Sequence, residues 1–330
     1  IEAAIARVYP AIVRLDVITE RAANGRMRKE RGFGSGAIIR RDGYLITNHH
    51  VAGRARRIQC RLADGEEIEG EVVGTDPLSD ITVVRLKMEQ RRNPKPLTVA
   101  EFGDSDTLRV GDPVLAMGST RGIVSNTALI LPRGAVNLDG ENVGSLVRWI
   151  AHDAKIFGGN SGGPLVDLEG RIIGVNELGF AGIGGAIPGN LARSIAEQII
   201  TRQQVERSWT GLFVQPRLKS LPLDRGALVA SILPDSPAAE TDLKPGDVLL
   251  SFDGVPVNLG MPEDLPVFNA LVLSTPIGKT VTIRYLRGDE ERETRLTTRR
   301  REAARGRDRE LRAWGITAQN FTLFSAIGSL

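Results

Sequence analysis

Three short strings of the sequence carry the side chains that nucleophilic catalysis uses. TNHHVAG places His49 next to His50, which are two of the three histidines; SDITVV contains Asp80; and FGGNSGGPLVD contains Ser161. A serine becomes a nucleophile when a histidine within hydrogen-bond reach removes its proton and a carboxylate orients that histidine. The chain order histidine, aspartate, serine is one of the orders known for this triad. These residues are therefore candidates for acyl transfer.

Each string also has a simpler interpretation. Glycines on both sides of Ser161 allow a sharp turn whose N–H groups could converge on an oxyanion, but they also fit an ordinary glycine-rich hairpin. Asp80 could be a turn residue before a strand, and a histidine beside Asn48 could be a plain loop residue. The three strings together favour catalysis over these alternatives.

The elements that would position these residues are mostly strands. From residue 6 to about 190, short β-branched runs alternate with glycine turns, which is typical of antiparallel β-sandwiches or barrels. A helical pattern follows at 190–204. After a polar linker at 203–209 the chain is β-rich again, with helical patterns at 236–247 and 264–273.

Composition excludes several classes of protein. The 330 residues are 41% hydrophobic and 25% charged with a net charge of +3, which fits about two globular domains. Most arginines stand near acids, so nucleic-acid binding is disfavoured. Cys60 is the only cysteine, so no intrachain disulfide is expected, and we expect neither a metal site nor a cofactor. No apolar run approaches the roughly 18 residues of a membrane span. The start at Ile1 suggests that a signal or anchor was removed.

The strings TNHHV, SDITVV and GNSGGPLVD, in this order and at these separations, resemble the high-temperature-requirement A (HtrA) group of trypsin-like serine proteases over most of residues 5–200. WTGLFV at 209–214 and SPAAETDLKPGDVLLSFDGVPV at 236–257 resemble a PDZ domain of the kind these proteases carry. LRAWGITAQNFT at 311–322 is similar to the opening of a second such domain, although a docked tail fits nearly as well.

The resemblance implies a mostly β fold, with a two-barrel trypsin-like protease domain followed by an α+β PDZ domain. The protease domain would span 1–205, with barrels at about 1–105 and 106–205. The PDZ domain would span 206–300, and 301–330 would be a linker with the possible start of a truncated second PDZ domain.

The resemblance also assigns catalytic roles. The family motif Thr-Asn-X-His-Val places the general base directly before the valine, hence at His50, with Asp80 orienting it and Ser161 as the nucleophile. His49 then falls at a variable position and would either face solvent or support its neighbours. His152 is a weaker candidate for the base.

The motif would supply the oxyanion hole from the backbone N–H groups of Gly159, Asn160 and Ser161. The Phe-Gly pair just before GNSGG replaces a more rigid pair in the family. We therefore expect the resting enzyme to be partly inactive until a ligand or assembly orders residues 156–160.

In family members the substrate lies as an extra strand against the segment that follows the nucleophile. Here that segment is 174–188, in which Gly184, Gly185, Ala186 and Ile187 are candidate substrate-binding residues, although the two glycines could equally be plain strand or loop glycines. By family position, residues near 176–180 and 183–187 would shape the primary specificity pocket. Small to medium aliphatic side chains are expected before the scissile bond.

In the PDZ-like region, the N–H groups of Thr210, Gly211 and Leu212 would receive the carboxylate of a C-terminal peptide, or the groove would bind an internal one. The alternative is a packing domain that anchors an oligomer. The family implies a trimer-based homo-oligomer in the bacterial periplasm or another extracytoplasmic compartment.

The sequence thus predicts a serine endopeptidase that cleaves unfolded or misfolded proteins. The alternative is a chaperone or scaffold of the same fold with weak or no proteolysis. A nucleic-acid-binding protein, suggested only by the arginines, is the third class.

Overall fold

The computed structural model describes residues 1–117, 121–132, 135–180, 182–217, 225–306 and 308–322. The chain divides into two compact units. The first contains residues 1–143, 147–205 and 303–330, and the second contains 144–146 and 206–302. Among the described helices, none is both long and apolar enough to cross a membrane.

The first barrel closes because β1 is long enough to pair with β2 along one edge and with β4 along the other. Its hydrogen-bonded order is β1-β2-β3-β6-β5-β4. In β1 the apolar residues Val13, Leu15 and Val17 point inward and are buried, while Arg14 and Asp16 between them are exposed. The strands are β1 (Ile12–Ala23), β2 (Arg26–Ile38), β3 (Tyr44–Asn48), β4 (Ala55–Leu62), β5 (Glu67–Asp76) and β6 (Ile81–Leu86), with helices α1 (Glu2–Val8) and α2 (His49–Ala52).

A second closed barrel has the order β11-β14-β13-β12-β7-β8. Its strands are β7 (Pro113–Ala116), β8 (Arg121–Leu129), β11 (Trp149–His152), β12 (Pro164–Val166), β13 (Ile172–Phe180) and β14 (Ile183–Pro188). A short hairpin of β9 (Asn137–Leu138) and β10 (Glu141–Asn142) precedes β11, and helix α3 (Gly189–Arg202) follows β14. The predicted two-barrel, mostly β architecture is confirmed.

The second unit is a sheet of order β16-β17-β18-β20-β21 with one helix, which agrees with the predicted α+β class. The rings of Phe252 and Phe268 meet edge to face at 6.1 Å and join the sheet to that helix. Its elements are β15 (Ser208–Trp209), β16 (Leu212–Gln215), β17 (Ala227–Ile232), β18 (Val248–Phe252), β19 (Val255–Pro256), α4 (Leu265–Ser274), β20 (Thr280–Arg287), β21 (Glu290–Thr297) and β22 (Arg299–Arg300).

The C-terminal segment belongs to the first unit. There β23 (Arg309–Leu311) and β24 (Ile316–Ala318) form a small hairpin, and the N–H of Ala304 donates to Oε1 of Glu141 at 3.1 Å. Residues 323–330, which complete the predicted linker and truncated domain, lie outside the described residues. Short 3₁₀ turns occur at Tyr9–Ala11, Met88–Gln90, Ser105–Thr107, Val143–Ser145, Pro237–Glu240, Pro262–Asp264 and Arg312–Trp314.

Candidate active site

The first barrel brings His50 and Asp80 together because β3 and β6 are hydrogen-bonded neighbours. His50 is the second residue of α2, directly after β3, and Asp80 directly precedes β6. The Nδ1 atom of His50 lies 2.7 Å from Oδ2 of Asp80, and the backbone N–H of His50 donates to Oδ1 at 2.9 Å. The Asp80 carboxylate therefore accepts hydrogen bonds from both the imidazole and the backbone N–H of His50.

Asp80 is itself held tightly. It is fully buried and adopts a left-handed backbone conformation with φ of +55°, which costs a non-glycine residue about 1 kcal/mol or more. Its carbonyl oxygen accepts hydrogen bonds from the N–H of His49 and from Nδ2 of Asn48, both at 3.0 Å. These contacts fix the carboxylate behind His50 before any substrate arrives.

The environment of His50 suits a general base. Burial acts to lower its pKa, but the hydrogen bond and the negative charge of Asp80 outweigh burial and raise the pKa above 6.5. Because the carboxylate needs a proton on Nδ1, Nε2 is the acceptor atom of the neutral ring. The side chain is 32% exposed, so a substrate can reach this ring.

Ser161 lies on the loop between β11 and β12, and this loop is docked on β2 and β3. The N–H of Ser35 donates to the carbonyl of Ser161 at 2.9 Å. At Gly162, with φ of +84°, a methyl group would overlap Ser35 and Thr47 and would lie 3.1 Å from the backbone nitrogen of Asn48. Only glycine fits there. The close approach of the two backbones brings Ser161 to the end of β3, which His50 follows in the sequence.

The hydroxyl of Ser161 donates to the carbonyl oxygen of Glu177 at 3.2 Å. Proton transfer to His50 therefore requires this hydrogen bond to be exchanged for one to Nε2. Asp80, for its part, bonds the side chain of His50 and not that of His49 or His152.

The three predicted oxyanion donors differ in whether their N–H groups are already hydrogen-bonded within the turn before Ser161. The N–H of Asn160 donates to the carbonyl of Phe157 at 3.0 Å and closes the turn, in which Gly159 has φ of +100°. Within the described part of the chain, the N–H groups of Gly159 and Ser161 donate to no backbone carbonyl. The turn thus leaves those two N–H groups, and not that of Asn160, available to an oxyanion.

The predicted substrate-binding residues of β14 are all buried. A methyl group at Gly184 would overlap the ring of His152, and one at Gly185 would lie 2.8 Å from Leu178, so both glycines serve close packing. Ala186 and Ile187 are 0% exposed. Moreover, β14 has hydrogen-bonded strands on both sides, β11 and β13, and offers no edge for an added strand.

An open edge exists instead on β13. Its pairing with β12 ends at Val175, whereas its pairing with β14 continues to Phe180. In the described ranges, residues 177–179 of β13 have no strand on their outer edge. The carbonyl that accepts the Ser161 hydroxyl belongs to this edge, so a strand added here would pass Ser161.

His49 is buried, so the solvent-facing alternative was wrong. Its Nδ1 lies 2.7 Å from Oγ1 of Thr75, and its Nε2 lies 3.1 Å from Oδ2 of Asp139, which also pairs with Arg54. Burial acts to raise the pKa of Asp139, but His49 and Arg54 outweigh it and lower that pKa. Asp139 was missed because it lies 90 residues from His49, with no motif of its own.

His152 is fully buried at the end of β11, opposite Gly184. Burial lowers the pKa of its imidazole below the ordinary value of 6.5, so the ring is neutral at physiological pH. It forms part of the packing beneath β14.

The predicted carboxylate loop of the second unit is compact. Thr210 is 2% exposed and its carbonyl accepts from the N–H of Ala238 at 2.8 Å. Gly211 has φ of +74° and packs against Ser236, while the N–H of Leu212 donates to Oγ1 of Thr210 at 3.3 Å. The following strand, β16, is an edge strand of its sheet.

Comparisons with known proteins agree with this architecture. Residues 34–175 match the family model of a trypsin-like peptidase domain, and residues 211–298 match that of a PDZ domain. A probable periplasmic serine endoprotease DegP-like of Pseudomonas fulva is 40% identical over 255 residues, which are 73% of this chain and 51% of that protein. The periplasmic serine endoprotease DegP of Escherichia coli (strain K12) is 36% identical over 282 residues, 81% of this chain and 57% of that protein.

The chain therefore spans about half the length of the curated relatives that it matches. Among solved structures, the HtrA-type protease AlgW with a tripeptide superposes with a TM-score of 0.76 at 32% identity. The match covers 91% of this chain and 97% of that one.

Proposed function

Because the chain belongs to the HtrA-type family of trypsin-like serine proteases with a PDZ domain, we propose that it is a serine endopeptidase that acts through Ser161, His50 and Asp80. The observation that carries this proposal is the buried Asp80 carboxylate, which binds both Nδ1 and the backbone N–H of His50. A carboxylate so placed fixes the tautomer that leaves Nε2 free to accept a proton.

In the proposed reaction, Ser161 exchanges its hydrogen bond to Glu177 for one to Nε2 of His50 and attacks the scissile carbonyl. His50 takes the hydroxyl proton and then donates it to the leaving amine. The C–N bond breaks, an acyl-enzyme forms on Ser161, and water activated by the same histidine hydrolyses it. Asp80 stays ionised and stabilises the imidazolium throughout.

The developing oxyanion would be bound by the N–H groups of Gly159 and Ser161. Two backbone donors that, among the described residues, have no backbone carbonyl partner would stabilise the tetrahedral intermediate more than the flat carbonyl of the substrate. The substrate backbone would pair with the open edge of β13 at residues 177–179, in place of the Gly184–Ile187 segment.

This geometry favours unfolded polypeptides as substrates. Pairing with a strand edge requires an extended segment whose N–H and C=O groups are not already bonded, and folded proteins rarely offer one. The relatives named above are periplasmic endoproteases, and we place this chain in the periplasm with a role in protein quality control. We also assign it a trimer-based homo-oligomeric state, as the family resemblance suggests.

The test is degradation of one protein in two states. A reduced and alkylated substrate should be cut to peptides, the same protein in its native fold should survive, and Ser161→Ala should cut neither. Equal cleavage of the folded form would contradict the preference for unfolded chains, and undiminished cleavage by Ser161→Ala would contradict the assigned nucleophile.

The second candidate function is a chaperone or scaffold, favoured by one observation: the Ser161 hydroxyl bonds to Glu177. If that arrangement is permanent, the unfolded protein should be kept soluble and remain uncut. The same incubation, followed by light scattering and gel electrophoresis, separates the two functions.

The PDZ domain would bind peptides along the edge strand β16, with their C-terminal carboxylate at Thr210–Leu212. Fluorescence anisotropy with a labelled apolar peptide should show tighter binding of the free acid than of its C-terminal amide. Equal affinity would show that the loop does not read the carboxylate and that internal segments bind instead.

A further inference from the structure

Glu177 is a buried acid that the triad mechanism leaves without a role. It belongs to β13, it is 5% exposed, and its side chain points to the interior. Ionised glutamates are almost never buried unless they are paired. The indole N–H of the fully buried Trp149 donates to Oε2, but Oε1 is buried and no described residue donates a hydrogen bond to it.

The second neighbour of this carboxyl group is the carboxylate of Asp80. Burial raises the pKa of Glu177 well above its ordinary value, and the charge of Asp80 and contact with it raise the pKa further, against the opposing effect of Trp149. Two adjoining carboxylates in a buried site cannot both be ionised at low energetic cost, so one keeps a proton.

The hydrogen bonds show which of the two keeps it. Asp80 accepts from Nδ1 and from the backbone N–H of His50, whereas Glu177 accepts only from Trp149. Asp80 is the carboxylate with more hydrogen-bond donors, so its negative charge is the better stabilised and the proton resides on Glu177. A proton on Glu177 also accounts for the missing donor at Oε1, because a protonated carboxyl oxygen is itself a donor and needs an acceptor, such as the neighbouring Asp80.

We propose that Glu177 is a positioning residue for the protease reaction: a neutral carboxylic acid that donates its O–H to the Asp80 carboxylate and holds it against His50. This inference rests on the proposed function. It adds a third donor to Asp80 from the second barrel and so links the two barrels behind the base. Its backbone carbonyl meanwhile accepts the hydroxyl of Ser161, so one residue contacts two members of the triad.

The arrangement has a consequence at alkaline pH. The titratable groups that face Glu177 are Asp80 and, beyond it, His50; Trp149 is a neutral donor. When Glu177 loses its proton, two negative charges adjoin behind the base, the O–H donor is lost, and repulsion displaces Asp80. The rate should therefore fall at high pH, with a midpoint set by Glu177.

The first test reads the proton directly and does not need proteolysis. In the Ser161→Ala protein, the infrared spectrum should contain the C=O stretch of a buried carboxylic acid at neutral pH. This band should be absent after the further change Glu177→Gln and should vanish from the parent at high pH. If the parent shows no such band at neutral pH, Glu177 is ionised and the proposal fails, whatever the enzyme's activity.

The second test is the pH profile of kcat/KM. Glu177→Gln keeps an acceptor for Trp149 and an N–H donor for Asp80, so it should retain activity within about threefold and lose the alkaline decline. Glu177→Ala, which removes the donor, should lower kcat about tenfold or more with little change in KM. Equal losses in both variants, or none in Glu177→Ala, would overturn the proposal.

Trp149→Phe provides a matched control because it removes the donor to Glu177 and leaves the contact with Asp80. The Trp149 hydrogen bond lowers the pKa of Glu177, so its loss should move the alkaline decline to higher pH. A shift to lower pH would contradict the assignment of that decline to Glu177.

Discussion

The two barrels contribute to the candidate active site in different ways. The first supplies His50 and Asp80 from neighbouring strand ends, fixed by hydrogen bonds of 2.7 to 3.0 Å that involve side chains and backbone. The second supplies Ser161 from a glycine-rich turn, in which the Ser161 hydroxyl donates to a carbonyl. In the part of the chain that the structure describes, the N–H groups of Gly159 and Ser161 have no backbone carbonyl partner. His50 and its carboxylate partner are thus preorganised, whereas the Ser161 hydroxyl would still have to rotate toward Nε2 of His50 to act as the proposed nucleophile. Regulation by a ligand would then act on the second barrel.

Removal of the proposed nucleophile from the second barrel should lower activity the most. Ser161→Ala removes the attacking oxygen and should lower kcat by roughly 10⁴- to 10⁶-fold. It should leave His50 and Asp80 in place, because neither of the hydrogen bonds between them involves Ser161. Hydrolysis of a chromogenic peptide measures the loss of kcat. Titration of the His50 imidazole by NMR, which should be the same in Ser161→Ala as in the parent, shows whether the first barrel is unaffected. A shifted titration would show that the two halves are coupled.

Asp80→Asn should be the next most damaging change. An amide can donate to Nδ1 and so select the wrong tautomer, with a loss of about 10⁴-fold in kcat. The pH profile should change with it. His50 must be neutral to act, and its raised pKa places the acidic limb of kcat/KM above pH 6.5 in the parent.

Without the Asp80 charge only burial remains, so the acidic limb of the residual activity should move below pH 6.5. An unchanged limb would mean that a group other than His50 is the base.

Gly159→Ala tests the second half of the site. A side chain at φ of +100° is strained and would lie 3.2 Å from the ring of Phe33, so the oxyanion turn should shift. Loss of one oxyanion donor lowers kcat by about 10²- to 10³-fold. The matched control is Gly65→Ala, a glycine with φ of +85° and open space around it in the turn after β4. Comparable losses in both variants would assign the effect to general strain.

His49→Ala should have the smallest effect on catalysis. The change leaves Thr75 and Asp139 without one partner each, which should lower the free energy of unfolding by about 1 to 2 kcal/mol. Asp139 keeps Arg54, so kcat should fall by no more than about tenfold. Urea unfolding and peptide hydrolysis measure both quantities. His50→Ala is the comparison variant, since it should remove activity, and activity lost in His49→Ala but kept in His50→Ala would mean that the base is His49.

The sequence predicted the triad because its residues follow or precede strong strand patterns and because the resemblance supplied their roles. It could not place Glu177, since an acid in an apolar strand gives no sign of facing another carboxylate across a barrel. It could not tell, within the segment 174–188, that Gly184–Ile187 has a hydrogen-bonded strand on both sides, because strand pairing decides whether an edge is free and local composition does not encode it. Nor could the sequence predict that His49 is buried, because its partner Asp139 lies 90 residues away, in the turn between β9 and β10.

The most direct measurement of the central claim is covalent labelling by a fluorophosphonate, which reacts with serines activated by a neighbouring base. Peptide mapping should locate the label on Ser161, with none on Ser161→Ala and a greatly slowed reaction on His50→Ala. Addition of a PDZ peptide should speed the labelling if the turn before Ser161 requires ordering. Absence of label from the parent protein with and without peptide, or label retained by Ser161→Ala, would contradict the account.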